Sequence, residues 1–167
     1  MFIGRERELD FLQERYDSER AELIVLYGRR RIGKTELLQQ FARDKSAVFY
    51  ACTECTDQEQ LARFSLRILQ AVIPAAHFLT SFSDWETALR SIQDVPSEGK
   101  KLLIIDEFPY MCASHPELPS ILQNLWDHEL SQANVMLILC GSAMSFIENE
   151  LLAERNPLYG RATGIYK

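Results

Sequence analysis

The stretch Glu22–Thr35, ELIVLYGRRRIGKT, constrains the fold more than any other part of the chain. It reads as a buried strand, Leu23–Leu26, running into a loop bounded by Gly28 and Gly33, with an apolar-periodic helix through Leu37, Leu38 and Phe41 just after. Gly28-Arg29-Arg30-Arg31-Ile32-Gly33-Lys34-Thr35 matches the phosphate-loop pattern G-x-x-x-x-G-K-[ST] at every fixed position. Each residue type has a chemical reason. Gly28 and Gly33 are expected to take backbone angles that strain other residues. The loop N–H groups then converge on phosphate oxygens, aided by the positive N-terminal end of the following helix. Lys34 supplies a mobile cation for the β- and γ-phosphates, and the Thr35 hydroxyl a ligand for Mg²⁺.

A second motif lies downstream. Leu102–Ile105 is an apolar strand that ends in Asp106 and Glu107. Asp106 is expected to hold the Mg²⁺ water shell. Glu107 is the candidate base for an attacking water. Adjacent residues on a regular strand point to opposite faces, so both acids reach one site only if the chain leaves strand geometry here. Phe108-Pro109 makes a sharp turn at that point a fair expectation. Gly141-Ser142 ends another apolar run. Ser142 either holds the lytic water or the γ-phosphate, or caps a helix, and the two roles are compatible.

Taken in order, the chain predicts a helix over 6–18, the first strand, a helix to about Asp44, and a strand Ala47–Cys52. Thr56-Asp57-Gln58-Glu59 and Ser83-Asp84-Trp85-Glu86 read as capping boxes. They open helices ending before Pro74 and near Gln93, and Phe78–Phe82 between them reads as loop. Lys101–Ile105 is a strand, Pro116 the first turn of a helix to about Leu130, and Asn134–Cys140 a strand. A helix near Ala143–Leu152 and a fifth strand at Thr163–Tyr166 complete the order. Alternation of this kind implies an α/β class with a parallel sheet, right-handed crossovers and a ligand beyond the carboxyl ends of the strands.

Composition closes off other classes. The 167 residues suffice for one sizeable core, and 47% of them are apolar. No apolar run reaches the ~18 residues of a membrane span. The charged N-terminus is not a signal peptide, so the expectation is a cytoplasmic protein with reduced thiols and no membrane partner. A net charge of −6 argues against non-specific nucleic-acid binding by the whole surface.

FIGRERELDFL, YGRRRIGKTELL, LLIIDEFPYM, LILCGSAMSFIE and NPLYGRATG together resemble the archaeal-type ATPase domain, an AAA-like branch of the P-loop ATPases close to the signal-transducing nucleotide switches. The resemblance covers nearly the whole chain, in the family's motif order. It implies a three-layer P-loop NTPase fold with a five-stranded parallel sheet in order 5-1-4-3-2. It also implies ATP or ADP as ligand, Mg²⁺ as cofactor and slow hydrolysis. Carried over by position, Ile3, Gly4 and Arg5, followed by Glu6, resemble the segment near the adenine. Glu36 joins the loop residues as nucleotide-binding. Arg161 resembles a family arginine that reaches the γ-phosphate or an adjacent subunit. The side chains of Arg29, Arg30 and Arg31 are expected to point outward, to carboxylates or a partner. Related proteins continue into a helical lid and a C-terminal domain. The expectation is therefore a core domain over 1–167 without these, its protein or DNA partner engaged through the absent region, with homo-oligomerisation open.

Cys52-Thr53-Glu54-Cys55 and Cys112-Ala113-Ser114-His115 have half-motif zinc spacing, and Cys52/Cys55 also the spacing of a redox dithiol. The favoured reading is that these cysteines are small core residues. Three function classes stand: a Mg²⁺-dependent ATPase, a nucleotide-regulated switch with little turnover, and a small-molecule kinase. Glu107 favours the first two, because a kinase acceptor is not water.

Overall fold

The computed structural model describes residues 4–73 and 81–167. Within them the elements run α1 (Glu6–Tyr16), β1 (Glu22–Tyr27), α2 (Lys34–Ala42), β2 (Ala47–Ala51), α3 (Asp57–Val72) and α4 (Trp85–Arg90). Then come β3 (Lys101–Asp106), α5 (Phe108–Ser114), α6 (Leu118–His128), β4 (Val135–Gly141), α7 (Met144–Phe146) and β5 (Gly164–Tyr166). The five strands form one sheet, ordered β2-β3-β4-β1-β5, and every adjacent pair is parallel. This is the order 5-1-4-3-2 expected from the sequence.

Continuous apolar strands need cover on both faces. Side chains alternate across the sheet, so each central strand feeds two cores. Leu23, Val25, Leu103, Ile105, Leu137 and Leu139 face the helices α3 to α6, packing with Phe64, Trp85, Phe108, Met111 and Leu122. Ile24, Leu26, Leu102, Ile104, Met136 and Ile138 face the other way, onto Leu12 of α1 and Leu37, Leu38 and Phe41 of α2. The result is three layers, helix on sheet on helix. On the larger side, Tyr50 meets Phe64 edge-on at 5.5 Å between ring centroids and Phe64 meets Trp85 at 5.4 Å. Such pairs add roughly 0.5–1.5 kcal/mol beyond the area they bury.

The amino ends of the strands are tied by a polar cluster. Glu22, fully buried, accepts hydrogen bonds from Ser18 Oγ at 2.9 Å and Arg20 Nε at 3.0 Å, and from the Thr163 hydroxyl. Arg15 donates to the Thr163 carbonyl at 2.9 Å, and Thr163 N–H to the Leu23 carbonyl at 2.8 Å. The short strand β5 is thereby anchored before it starts. Burial pushes the Glu22 carboxyl up, but hydrogen bonds from Thr163, Arg20 and Ser18 outweigh it, and the group titrates below its ordinary value.

Several elements differ from the sequence reading. The cap of α4 is Asp84 rather than Ser83: its carboxylate accepts from Thr87 N–H at 2.7 Å. That helix tightens into a 3₁₀ turn over Ser91–Asp94. Phe108-Pro109 does not end in a turn but opens α5, because a proline lacking an N–H fits the first turn of a helix. Pro119, not Pro116, occupies the first turn of α6. The helix after β4 is regular only over Met144–Phe146. It continues as a π-turn, Ile147–Leu151, in which Leu152 N–H reaches the Ile147 carbonyl at 2.8 Å. Thr56 caps α3 as expected, accepting from Glu59 N–H at 3.2 Å. Ile3, Pro74 and most of Phe78–Phe82 lie outside the described residues. No helix among the described residues is long and apolar enough to cross a membrane.

Candidate nucleotide-binding site

The glycine loop leaves β1 at Gly28, whose N–H still donates to the Gly141 carbonyl at 3.3 Å, continuing the β1–β4 pairing by one residue. Gly33 then caps α2 with φ 79°, a left-handed angle that favours glycine. Gly28 does not take a positive φ. Its need is for space: a Cβ there would lie 2.7 Å from Ile32 Cδ1. Arg31, a non-glycine, supplies the loop's other left-handed angle, φ 64°. Lys34 is 7% exposed and bends back over the loop. Its ammonium donates to the Gly28 carbonyl at 2.8 Å and the Arg29 carbonyl at 2.6 Å.

The acids come from the end of β3, two strands away from β1. Asp106 is buried; one carboxylate oxygen accepts from Thr35 Oγ1 at 2.6 Å and the other from Glu107 N–H at 2.9 Å. Glu107 breaks strand geometry with φ 53° and ψ 43°. That is the departure needed to bring two adjacent acids to one end of the sheet, and it occurs at Glu107 itself rather than at Phe108-Pro109. Because β4 lies between β1 and β3, Ser142 stands between the loop and the acids. Its hydroxyl reaches both Glu107 carboxylate oxygens, at 3.0 and 3.2 Å.

A cavity of about 320 Å³ opens between these groups, lined by Arg30, Arg31, Gly33, Lys34, Thr35, Glu36 and Glu107. A somewhat larger hollow of about 390 Å³, bounded by Leu9, Gln13, Phe41 and Lys45, lies between α1 and the end of α2 and gathers none of the motif residues. The donor set around Thr35 suits a hard cation: a hydroxyl and a carboxylate, both oxygen, already in contact, with the loop amides and Lys34 beside them for the phosphates. Thr35 and Asp106 are thus the residues that would hold Mg²⁺.

Gly4 is exposed with φ 87°, and Arg5, at the N-cap of α1, makes no capping bond but turns Nη1 to Glu8 Oε1 at 3.4 Å. A Cβ at Gly33 would lie 3.8 Å from Arg5 Nη2, so this N-terminal arginine does reach the loop. Arg30 finds a phenol, not a carboxylate: Nη2 donates to Tyr110 Oη at 3.3 Å. Arg161 does not line the cavity; its guanidinium forks onto Asp127 of α6 at 2.9 and 3.2 Å. Sequence reasoning missed Tyr110 and Asp127. Tyr110 stood inside the quoted Asp-Glu motif, whereas Asp127 is one surface acid among many. Cys52, Cys112 and Cys140 are buried, and burial pushes their thiols up, Cys112 to about 12. His115 Nδ1 sits 3.0 Å from Asp57 Oδ2, turned to a carboxylate rather than to the cysteines.

The sequence profile of an ATPase domain found predominantly in Archaea matches residues 2–167. The chain belongs to that family. This ATPase domain is 34% identical over its whole length to an uncharacterized protein of Methanocaldococcus jannaschii, of which it covers 35%. Among solved structures, the Walker-type ATPase of Pyrococcus abyssi superposes with a TM-score of 0.73 at 23% identity, covering 98% of this chain and 53% of that one. Cdc6p of Pyrobaculum aerophilum gives 0.58 at 17% identity, over 89% and 41%. At such identities the structural likeness establishes the fold: an α/β P-loop ATPase core. The ATPase domain spans about a third to a half of these proteins' lengths.

Proposed function

We propose that this domain binds ATP with Mg²⁺ at Gly28–Glu36 and hydrolyses it to ADP and phosphate. The observation that carries the reading is the pairing of Asp106 with Thr35 while Glu107, one residue on, is turned by its left-handed backbone toward Ser142. On this reading one acid serves a metal and the next a water.

The loop amides and the α2 N-terminus hold the phosphates, and Lys34 leaves its two carbonyls for the β- and γ-oxygens. Thr35 and Asp106 would hold the Mg²⁺ ion, which would supply positive charge to the phosphates when bound. Ser142 fixes the Glu107 carboxylate. Glu107 then takes a proton from water as the water oxygen bonds to the γ-phosphorus and the bond to the β–γ bridging oxygen breaks, ADP leaving with that oxygen. By the family resemblance, the segment at Gly4 and Arg5 is assigned to the adenine side. Arg161 serves the γ-phosphate only if it releases Asp127.

Both Glu107 oxygens engage Ser142, and a base so occupied also suits a switch that binds ATP or ADP with little turnover. The coupled task, with its protein or DNA partner and any homo-oligomer, is proposed for whole proteins of the relatives' length, working in the cytoplasm.

Paired measurements test this. Lys34→Ala is expected to weaken ATP affinity by ~10-fold or more in titration calorimetry. Asp106→Asn is expected to weaken Mg²⁺-dependent binding. Glu107→Gln is expected to keep ATP binding and to lose phosphate release by ~10²-fold. Equal turnover in Glu107→Gln and parent would remove Glu107 as the base, and a parent that binds without turnover would leave the switch.

A further inference from the structure

We propose that the Arg30 side chain is a γ-phosphate ligand supplied by the loop itself, with Tyr110 holding it at the rim of the cavity. The assignment rests on the nucleotide site proposed above and adds to it a residue that reads the third phosphate.

Three observations carry it. First, Arg30 lines the same cavity as Lys34, Thr35 and Glu107. Second, its charge is unspent. Arg5, Arg20, Arg90 and Arg161 each face a carboxylate within 3.4 Å. Among the described residues, by contrast, the partner of Arg30 is a neutral phenol at 3.3 Å. A guanidinium pairs with a phosphate by charge on both partners, which a phenol lacks, and its planar fork fits two oxygens at once. The phenol is therefore a holder that phosphate displaces. Third, the direction is set. Lys34 bends inward over the Gly28 and Arg29 carbonyls, whereas Arg30 reaches across to α5, one turn beyond Glu107. Arg30 and Glu107 line one cavity, so the guanidinium and the acid that addresses the terminal phosphate open onto the same space.

Arg30 thus distinguishes ATP from ADP, and its release from Tyr110 reports the γ-phosphate to the first turn of α5. The experiment measures ATP and ADP affinities, each with Mg²⁺, by calorimetry on the parent, Arg30→Ala, Arg30→Lys, Tyr110→Phe and Lys34→Ala. Arg30 is exposed, so its substitution leaves the core intact. Arg30→Ala is expected to lower the ATP-to-ADP affinity ratio by about tenfold, the size of one charged hydrogen bond. Arg30→Lys, which keeps charge without the fork, lowers it less, and Tyr110→Phe does not lower it. A ratio in Arg30→Ala equal to the parent's overturns the assignment. So does a fall in Tyr110→Phe as large as in Arg30→Ala, since the pair would then be a structural clasp. If Lys34→Ala binds both nucleotides like the parent, the site itself is wrong and this inference falls with it. If Lys34→Ala loses binding while the Arg30→Ala ratio is unchanged, only the inference falls.

Discussion

Two glycines frame the phosphate loop for different reasons, and substitution separates them. Gly33 holds φ 79°, where a Cβ is strained whatever room it has, so Gly33→Ala is expected to lose roughly 1–2 kcal/mol of stability. Gly28→Ala asks only that Ile32 Cδ1 swing away, and Ile32 is 41% exposed, so its loss is smaller. Urea midpoints of the two variants check the order, and a reversed order would mean that crowding outweighs backbone angle. The pattern of residue types announced the loop, Lys34, Thr35 and Asp106, because phosphate and metal chemistry demand those groups. It did not announce which glycine bends, since the same letter serves a turn and a tight fit. Nor did it show that Arg31 and Glu107 share the left-handed region with Gly33. Strain of that kind, about 1–2 kcal/mol per residue, persists where the surroundings fix it, here the bonds from Glu107 N–H to Asp106 and from Ser142 to the Glu107 carboxylate.

At the scale of elements, the strands were legible from their apolar runs, β3 as a central one, while their order came from the family resemblance rather than from hydropathy. Boundaries were less so. Ser83 and Asp84 are both good caps, and local sequence does not choose between them. Phe108-Pro109 fits a turn and a helix start equally, and α5 formed because Phe108, Met111 and Cys112 find the core of the larger layer. β5, three residues long, depends on the Glu22 cluster that anchors its start. The titration of Glu22 gives that dependence a sign. Its pKa is lowered in the folded protein from an ordinary value of 4.5, so the stability it contributes is present above about pH 4.5 and is lost as pH falls through the lower folded value. Thermal melts of parent and Glu22→Gln are expected to differ most above pH 4.5 and to converge in acid. A gap that stays constant with pH would show that the hydrogen-bonded carboxylate is not what holds β5.

For the molecule as a whole, ligand binding and folding are linked. A ligand at 100 times its Kd adds about 2.7 kcal/mol to stability, which for a chain of this size raises the melting temperature by roughly 5–10 °C. ATP with Mg²⁺ is expected to produce such a shift in the parent and, at the same concentration, about half of it or less in Lys34→Ala, whose affinity is ~10-fold or more weaker; an equal shift in both would place the nucleotide elsewhere. The six-residue strand β1 joins these matters. It carries the Glu22 cluster at one end and the glycine loop at the other, about 20 Å apart at ordinary strand rise. Substitutions that far apart, sharing no partner, act additively. Cohesion and chemistry are therefore separately adjustable in this chain: a lineage can retune how firmly its outermost strand is held without disturbing what the loop grips, and can alter the grip without loosening the sheet.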